Sequence, residues 1–294
     1  MKKIAILGCE NSHADAFLTN LRDRKEFSGV QVVGVYSDDD AAARKLQEKF
    51  GVPVLSDFRD AVGKVDGILI TARHGDNHYK YAKPYIESGI PMFIDKPVTV
   101  REDDAVEFME ALAAGKVRIC GGSSLKQDCF VKELRRDRET ERGGKTLGGF
   151  VRAPYQAENA YGGFCFYAPH LVEMVCEIFG RFPRSVTATR NGEQIHVLFH
   201  YDAYDCVGLY CNRSYVYFAS RMAETESTAR EIPGTNEWFY WEFKEFYQLL
   251  QGAPQSVGYE EFIAPVFILN AVERSLESGR EEAVRPIEIK GGTV

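Results

Sequence analysis

Over roughly its first 120 residues the chain alternates two kinds of segment, short apolar β-branched runs and longer amphipathic runs closed by glycine. KKIAIL, VQVVGVYS, GILITA and PMFID are the apolar runs, with a shorter VPVL after the second. Between them helical periodicity covers residues 14–24, 40–50, a stretch from about Phe58, and 78–88, with Gly51 and Gly89 as stops. Runs apolar on both faces imply strands covered on both sides, as in a parallel sheet flanked by helices. Ligands collect outside the carboxyl ends of such strands, so the loop after each run is where chemistry is expected.

The first of these loops is GCENSH, residues 8–13. A strand, a glycine turn and a helix together make a dinucleotide cradle when three glycines are spaced as G-x-G-x-x-G. Only Gly8 keeps its place, and Glu10 and His13 stand where the other two belong. Glu10 brings bulk and negative charge toward a pyrophosphate. Asn11, Ser12 and His13 offer donors at a helix N-terminus, which attracts anions; Asn11 or Ser12 reads equally well as a plain helix cap. The turn is expected to accept the cofactor loosely, side-chain donors replacing part of what glycine amides supply.

After the second strand, Ser37 occupies the position where an acidic residue usually grips the adenosine ribose, and Asp38 follows. Asp38 would repel a 2′-phosphate and no arginine stands beside it, so NAD is favoured over NADP. The run SDDD is equally an acidic helix start. Thr71, Ala72, His74 and His78, at and beyond the end of GILITA, complete the expected cofactor contacts, together with Asp95 and Lys96 after PMFID.

Near residue 121 the pattern changes, which divides the chain into an expected dinucleotide-binding domain, 1–121, and an expected substrate-binding and oligomerisation domain, 122–294. CGGSS ends one more strand, a charged helix spans 126–141, and RGGKTLGG reads as a link. SVTATRNGEQIHVLFHYD carries Asn191-Gly192 between alternating segments, a strong hairpin signal, and VGLYCNRSYVYFAS reads as a second hairpin. Helices are expected over 236–250 and 259–278, the latter closed by Gly279 and bent at Pro265. Phe239, Phe243, Phe246 and Leu250 recur at helical intervals, so that aromatic run is core.

Charge and cysteine usage narrow the function classes. A net charge of −7, with RRDR as the densest basic run, argues against nucleic-acid and anionic-membrane partners. The apolar stretch near the start is too short for a secretory signal, and no stretch approaches a membrane span. Seven cysteines without a C-x-x-C pair suggest neither a disulfide framework nor zinc, and fit a reducing cytoplasm. His196 and His200 share a strand face without a third ligand, so no metal is expected.

Two residues are the candidates for the chemistry. Lys96 follows a strand whose carboxyl end faces the expected ligand, where an ammonium can hydrogen-bond a hydroxyl and stabilise an alkoxide; otherwise it is an ordinary lysine at a strand exit. His170 lies near the start of a helix whose core stripe is Leu171, Val172, Val175, Ile178 and Phe179, with Glu173 and Glu177 on its own face. Glu173 could hold its tautomer for general-base work, or simply satisfy a half-buried helix histidine. Tyr167 reads as a hydrogen-bond donor to substrate or as packing, and Lys126, Tyr155 and Asn159 are further substrate-contact candidates.

HYKYAKPYIESGIPMFIDKPVT, YGGFCFYAPHLVE and the order of the two domains resemble the glucose-fructose oxidoreductase, inositol dehydrogenase and MocA family of nicotinamide-dependent enzymes. The first segment is similar to that family's helix, glycine stop, strand and Glu-Lys-Pro signature, with Asp95 in place of Glu. The second is similar to the Gly-Gly helix start that leads to a catalytic histidine, here His170. The resemblance implies an α/β fold, with an N-terminal doubly wound Rossmann sheet and a C-terminal α/β domain bearing an open, mostly antiparallel sheet. It also implies Lys96 and His170 as catalytic residues, a cis Lys96–Pro97 peptide, a small-molecule substrate such as a sugar or polyol, and a homodimer or homotetramer through the C-terminal sheet. The family commonly has an aspartate four residues before its histidine, and Phe166 stands there. Glu10, Ser37 and Phe166 are the residues that favour an alternative, a non-catalytic binding protein that keeps the fold.

Overall fold

The apolar runs form a five-stranded, wholly parallel sheet in the order β2-β1-β3-β4-β5, made of β1 (Lys2–Leu7), β2 (Val30–Tyr36), β3 (Gly67–Ile70), β4 (Met92–Asp95) and β5 (Ile119–Gly122). Helices α1 (Ser12–Asp23), α2 (Asp40–Phe50), α3 (Asp76–Ala82) and α4 (Glu102–Ala114) make the crossovers. Because the chain leaves β1 for β2 on one side and returns to β3 on the other, the loops after β1 and β3 diverge and open a crevice between them. The computed structural model describes residues 1–290.

Three local readings change. No helix starts at Phe58: residues 58–64 are turns, and Asp60 Oδ2 accepts from Ser56 N, Ser56 Oγ and Asp57 N, a side-chain alternative to helical backbone bonds. VPVL contributes only a bridge from Val54 to Val35. The helix expected over 78–88 is α3 followed by a 3₁₀ turn, Lys83–Ser88, because Pro84 lacks the N–H that would continue it. Helix α4, which the sequence reading left unassigned, buries Ala105, Phe108, Met109 and Leu112 and carries Glu102, Asp103 and Asp104 in its first turn, where they favour the helix dipole.

After β5 come α5 (Cys129–Glu139), β6 (Thr146–Tyr155), α6 (Pro169–Phe179), β7 (Ser185–Asn191), β8 (Gln194–His200), β9 (Asp205–Asn212), β10 (Tyr217–Ala223) and β11 (Ser227–Ile232). Helices α7 (Glu237–Leu250) and α8 (Tyr259–Ser278, with Pro265 inside it) and the short β12 (Glu282–Ala283) follow. The second sheet has seven strands in the order β11-β10-β6-β9-β8-β7-β12, antiparallel except for β6 beside β9. β7 and β8 form the hairpin expected at Asn191-Gly192, with Gly192 at φ 56°. The second expected hairpin does not form, since β6 lies between β9 and β10, and β10 pairs instead with β11. TLGG belongs to β6 and not to a link. Gly149 is required there because a Cβ would fall 2.2 Å from Ser220 O and 2.4 Å from Phe179 Cζ.

By its contacts the chain forms two units. One comprises Met1–Gly122, Asn236–Tyr259 and residues 289–290; the other comprises Ser123–Thr235 and Glu260–Glu288. The aromatic helix α7, which the sequence reading grouped with the second domain, packs into the first: Phe243, Phe246, Leu249 and Leu250 share a core with Ile4, Phe17, Phe27 and Phe93. α7 is core as expected. It serves the other unit because the parallel sheet's α1 side supplies the apolar surface that covers it.

Candidate active site

At the end of β1 the chain turns at Gly8, with φ 75°, and a Cβ there would lie 2.5 Å from Ala72. This glycine is therefore fixed by both conformation and space. Thr71 ties the turn to β3, its N–H donating to Leu7 O at 2.8 Å and its Oγ1 to Gly8 O at 3.0 Å. Asn11 is the N-cap of α1, its Oδ1 accepting from Ser12 N at 2.7 Å, while its Nδ2 donates to Asp95 Oδ2 at 2.6 Å. So Asn11 caps α1 and ties the turn to the end of β4 at once.

Glu10 reaches sideways. Its Oε2 accepts from Ser37 Oγ at 2.7 Å and its Oε1 from the Arg73 backbone N–H at 3.0 Å. Ser37 in turn accepts from Asp39 N at 3.0 Å. Asp38 Oδ1 accepts from Tyr36 Oη at 2.6 Å, and its Oδ2 accepts from Tyr81 Oη at 2.9 Å and Lys80 Nζ at 3.2 Å. The Tyr36 hydrogen bond, then burial in opposition, then Tyr81 and Lys80, set the balance that holds its carboxyl below the usual range. A cavity of about 680 Å³ opens beside the turn, lined by Glu10, Asn11, Ser12 and Arg73, by α1 as far as Asn20, by α2 as far as Leu46, and by Phe239 of α7. Arg73 escaped the sequence reading because its contribution is a backbone amide.

His13, at the third glycine position, is buried between two carboxylates, Nδ1 at 3.2 Å from Asp95 Oδ2 and Nε2 at 3.3 Å from Glu242 Oε2 on α7. Both contacts lie off ideal hydrogen-bond geometry, so charge does most of the holding. Burial opposes protonation most strongly, but Asp95 and Glu242 together outweigh it and raise the imidazole above its ordinary value. This is a structural ion cluster and not a pyrophosphate donor. Glu242 was missed, although it falls on the apolar stripe of α7 where a carboxylate is out of place.

Asp95 also accepts from the Lys96 N–H at 2.7 Å, and the Lys96–Pro97 peptide is cis, as the resemblance implies. The Lys96 residue is only 4 % exposed. His78 is fully buried, with Nε2 2.9 Å from Ala72 O and Nδ1 3.2 Å from Val98 O. Burial pushes it below its ordinary value, so the neutral ring donates to one carbonyl at a time and braces the loop after β3. His74 is half exposed, its Nδ1 accepting from Asp76 N at 3.3 Å.

In the second unit His170, 6 % exposed, begins α6 directly after Pro169, a favoured first-turn residue. Its Nδ1 lies 2.6 Å from Ser123 Oγ. Glu173, to which the sequence reading gave that role, stands one step back, Oε1 accepting from Ser123 N at 2.8 Å and Oε2 3.7 Å from Lys126 Nζ. Burial raises Glu173 above the ordinary glutamate value against the pull of Lys126 and Arg181. Glu177 pairs with Arg135 and Arg181. Ser123 was missed, though CGGSS places it at a strand's end.

Tyrosines stand around His170. The Tyr167 ring meets it edge-on at 4.7 Å, and Tyr167 Oη lies 3.2 Å from Tyr217 Oη, with Tyr215 adjoining. Burial raises both Tyr167 and Tyr217, so these hydroxyls stay protonated. Phe166 packs between Tyr161 and Tyr167 and extends this aromatic wall. Tyr155 is sealed in the core between Phe164 and Tyr210, with 1 % exposure and its hydroxyl on Arg190. Asn159 staples its own loop, bonding Gln156 O, Gly163 O and Tyr161 N. Neither reaches His170 by any of these contacts.

Residues 2–122 match the family model described as "Oxidoreductase family, NAD-binding Rossmann fold", designated GFO_IDH_MocA. Over that stretch, which is less than half of its length, the chain is similar to the Gfo/Idh/MocA family. It is 29% identical over 139 residues to an inositol 2-dehydrogenase of Burkholderia vietnamiensis, a stretch covering 46% of this chain and 40% of that relative. The myo-inositol dehydrogenase of Corynebacterium glutamicum superposes with a TM-score of 0.84 at 16% identity, covering 98% of this chain and 100% of that one. The scyllo-inositol dehydrogenase of Lactobacillus casei, solved with NAD(H) and scyllo-inositol, gives 0.83 at 14%, covering 97% and 99%. At such identities these two establish a shared fold alone.

Proposed function

We propose that this protein is a member of the Gfo/Idh/MocA family and an NAD-dependent dehydrogenase acting on a secondary alcohol of a sugar, polyol or related compound. The observation that carries the reading is Lys96, an ammonium-bearing side chain 4 % exposed at the carboxyl end of an inner strand of a parallel sheet. In α/β sheets ligands bind at that end of the strands. The inositol dehydrogenases to which the chain is similar support a polyol substrate.

The Gly8 turn, with the space that only glycine leaves there and the cavity beside it, fits a dinucleotide. Gly8, Asn11, Ser12, Ser37, Ala72, Arg73 and His74 are the residues that would hold it. NAD, when bound, supplies the hydride acceptor. Lys96 hydrogen-bonds the substrate hydroxyl and stabilises negative charge as it develops on that oxygen. His170 takes the hydroxyl proton at Nε2, while Ser123 on Nδ1 and Glu173 behind it fix the ring and its tautomer. Protonated Tyr167 and Tyr217 orient substrate hydroxyls. Replacing Lys96 or His170 with Ala should lower kcat/KM by roughly 10²–10⁴ in assays of polyol oxidation, with circular dichroism unchanged. Wild-type-like turnover in either variant refutes the assignment.

A second reading, a non-catalytic protein that binds a small metabolite, is favoured by Phe166, which puts an aromatic wall where the family has a carboxylate. Ligand binding to the native state raises Tm by mass action, so the absence of a thermal shift at millimolar NAD favours this second reading. We further place the protein in the cytoplasm, which suits seven free thiols, and assign it a homodimer or homotetramer formed through the second sheet. Among the described residues no helix is long and apolar enough to cross a membrane.

A further inference from the structure

We propose that Glu10 is the ribose-binding carboxylate of the dinucleotide site, delivered from the β1 turn instead of from the end of β2, and that it sets the preference for NAD over NADP. The inference rests on the dinucleotide-binding reading given above. In sheets of this kind the ribose acid stands at the end of the second strand. Ser37 stands there in this chain, and its hydroxyl is 2.7 Å from Glu10 Oε2. A carboxylate has thus been carried, from 27 positions earlier in the chain, to the place the serine left without one.

The other acids after β2 already have tasks. Asp38 holds Tyr36, Tyr81 and Lys80, and Asp39 caps α2 through Ala41 N at 3.0 Å and Ala42 N at 3.3 Å. Asp40 belongs to the first turn of α2. Glu10, by contrast, lines the cavity of about 680 Å³ and is anchored on two sides, by Ser37 Oγ and by the Arg73 amide at 3.0 Å. Those anchors use one lone pair on each oxygen and fix the orientation of the group. An ionised carboxylate accepts at about four positions, so about two remain for the paired hydroxyls of a ribose. Asp15 and Asp39 line the same cavity, with Lys45 and Arg73 as its cations, and Asp15 is held by Lys49. A 2′-phosphate would put two negative groups in contact where a 2′-hydroxyl donates a hydrogen bond.

The test is calorimetric titration of NAD and NADP into the full-length protein and its variants, with no turnover needed. Wild type should bind NAD more tightly than NADP. Glu10→Gln, which keeps the shape and removes the charge, should weaken NAD about tenfold or more and bring the two affinities together. Adding Ser37→Asp to Glu10→Gln returns a carboxylate to the end of β2 and should restore the preference, which also shows that the Gln variant is folded. If wild type binds NAD but Glu10→Gln leaves the NAD/NADP ratio unchanged, this inference falls and the dinucleotide reading stands. Tighter NAD binding by Glu10→Ala would mean the carboxylate plugs the cradle, which also overturns it. If wild type and variants all bind neither dinucleotide, both readings fall.

Discussion

His13 shows how much one residue can reverse a position's purpose. A glycine there lets a helix approach a strand; the imidazole instead fills the space and joins Asp95 to Glu242 inside the core, with the Phe17 and Phe239 rings edge-on to it at 5.8 and 4.9 Å. Removing the cation leaves two buried carboxylates facing one another, so His13→Ala should destabilise by about 3–5 kcal/mol in urea titrations. The cluster also has a pH signature. Burial disfavours the charged ring, Asp95 and Glu242 favour it more, Lys96 opposes weakly, and the folded value ends above the unfolded value of about 6.5. A raised histidine gives its full stabilisation below about pH 6.5 and loses it as pH rises through the folded value. The wild-type-minus-His13→Asn difference in urea midpoint should therefore shrink from pH 6 to pH 9; a difference that is flat or grows would contradict the cluster. Little of this was legible beforehand. A sequence shows that His13 replaces a glycine, but its partners stand on β4 and α7, and only folding brings them together.

At the level of elements, β6 is the strand whose glycines decide what can lie beside it. Gly149 sits between β9 and β10, and any side chain would meet the Ser220 carbonyl and the Phe179 ring, so Gly149→Val should cost about 1–3 kcal/mol by overpacking. Gly29 has open space around its absent Cβ and no positive φ. Gly29→Ala should be neutral or stabilise by up to about 1 kcal/mol, and thermal melts of the pair measure the contrast. Equal effects would mean that close approach does not fix β6. The same glycines explain why TLGG reads as a link, since glycine erases the alternation by which a strand is recognised. Alternation is local and pairing is not. It found β9 and β10 in one segment, yet could not show that β6, from far earlier in the chain, would separate them. The parallel sheet was more legible because a strand buried on both faces announces itself by composition alone. The candidate site divides in the same way: Lys96 and His170 are proposed from local context and the family resemblance, whereas the contacts of Ser123, 47 residues before His170, and of the Arg73 amide, 63 residues after Glu10, depend on tertiary structure.

On the scale of the molecule, what the second unit leaves uncovered bears on how copies associate. One face of its sheet is sealed by α6 and its neighbours: Val151, Ala153, Cys206, Tyr210, Ile195, Val197 and Phe199 are buried there, and Tyr210 Oη donates to Ala168 O at 2.9 Å. The alternate residues point the other way. Phe150, Val207 and Leu198 lie side by side in register across β6, β9 and β8, and Phe218 and Leu209 flank Arg152 in the next row. Val207 is 38 % exposed and Met222, on the same face of β10, 46 %. A sheet face that carries such a row is unusual for a monomer, whose apolar residues are mostly scattered, and a self-complementary patch is what a two-fold contact between copies requires. Val207→Lys would place an ammonium in the middle of that row while leaving the opposite, packed face untouched. Wild type should elute and sediment as a dimer or tetramer of the 33.1 kDa chain, and the lysine variant should shift to 33.1 kDa with its Tm lowered only by the lost association. A variant that keeps the wild-type mass would move the contact to another surface, and one that unfolds at once would show that Val207 supports the sheet itself.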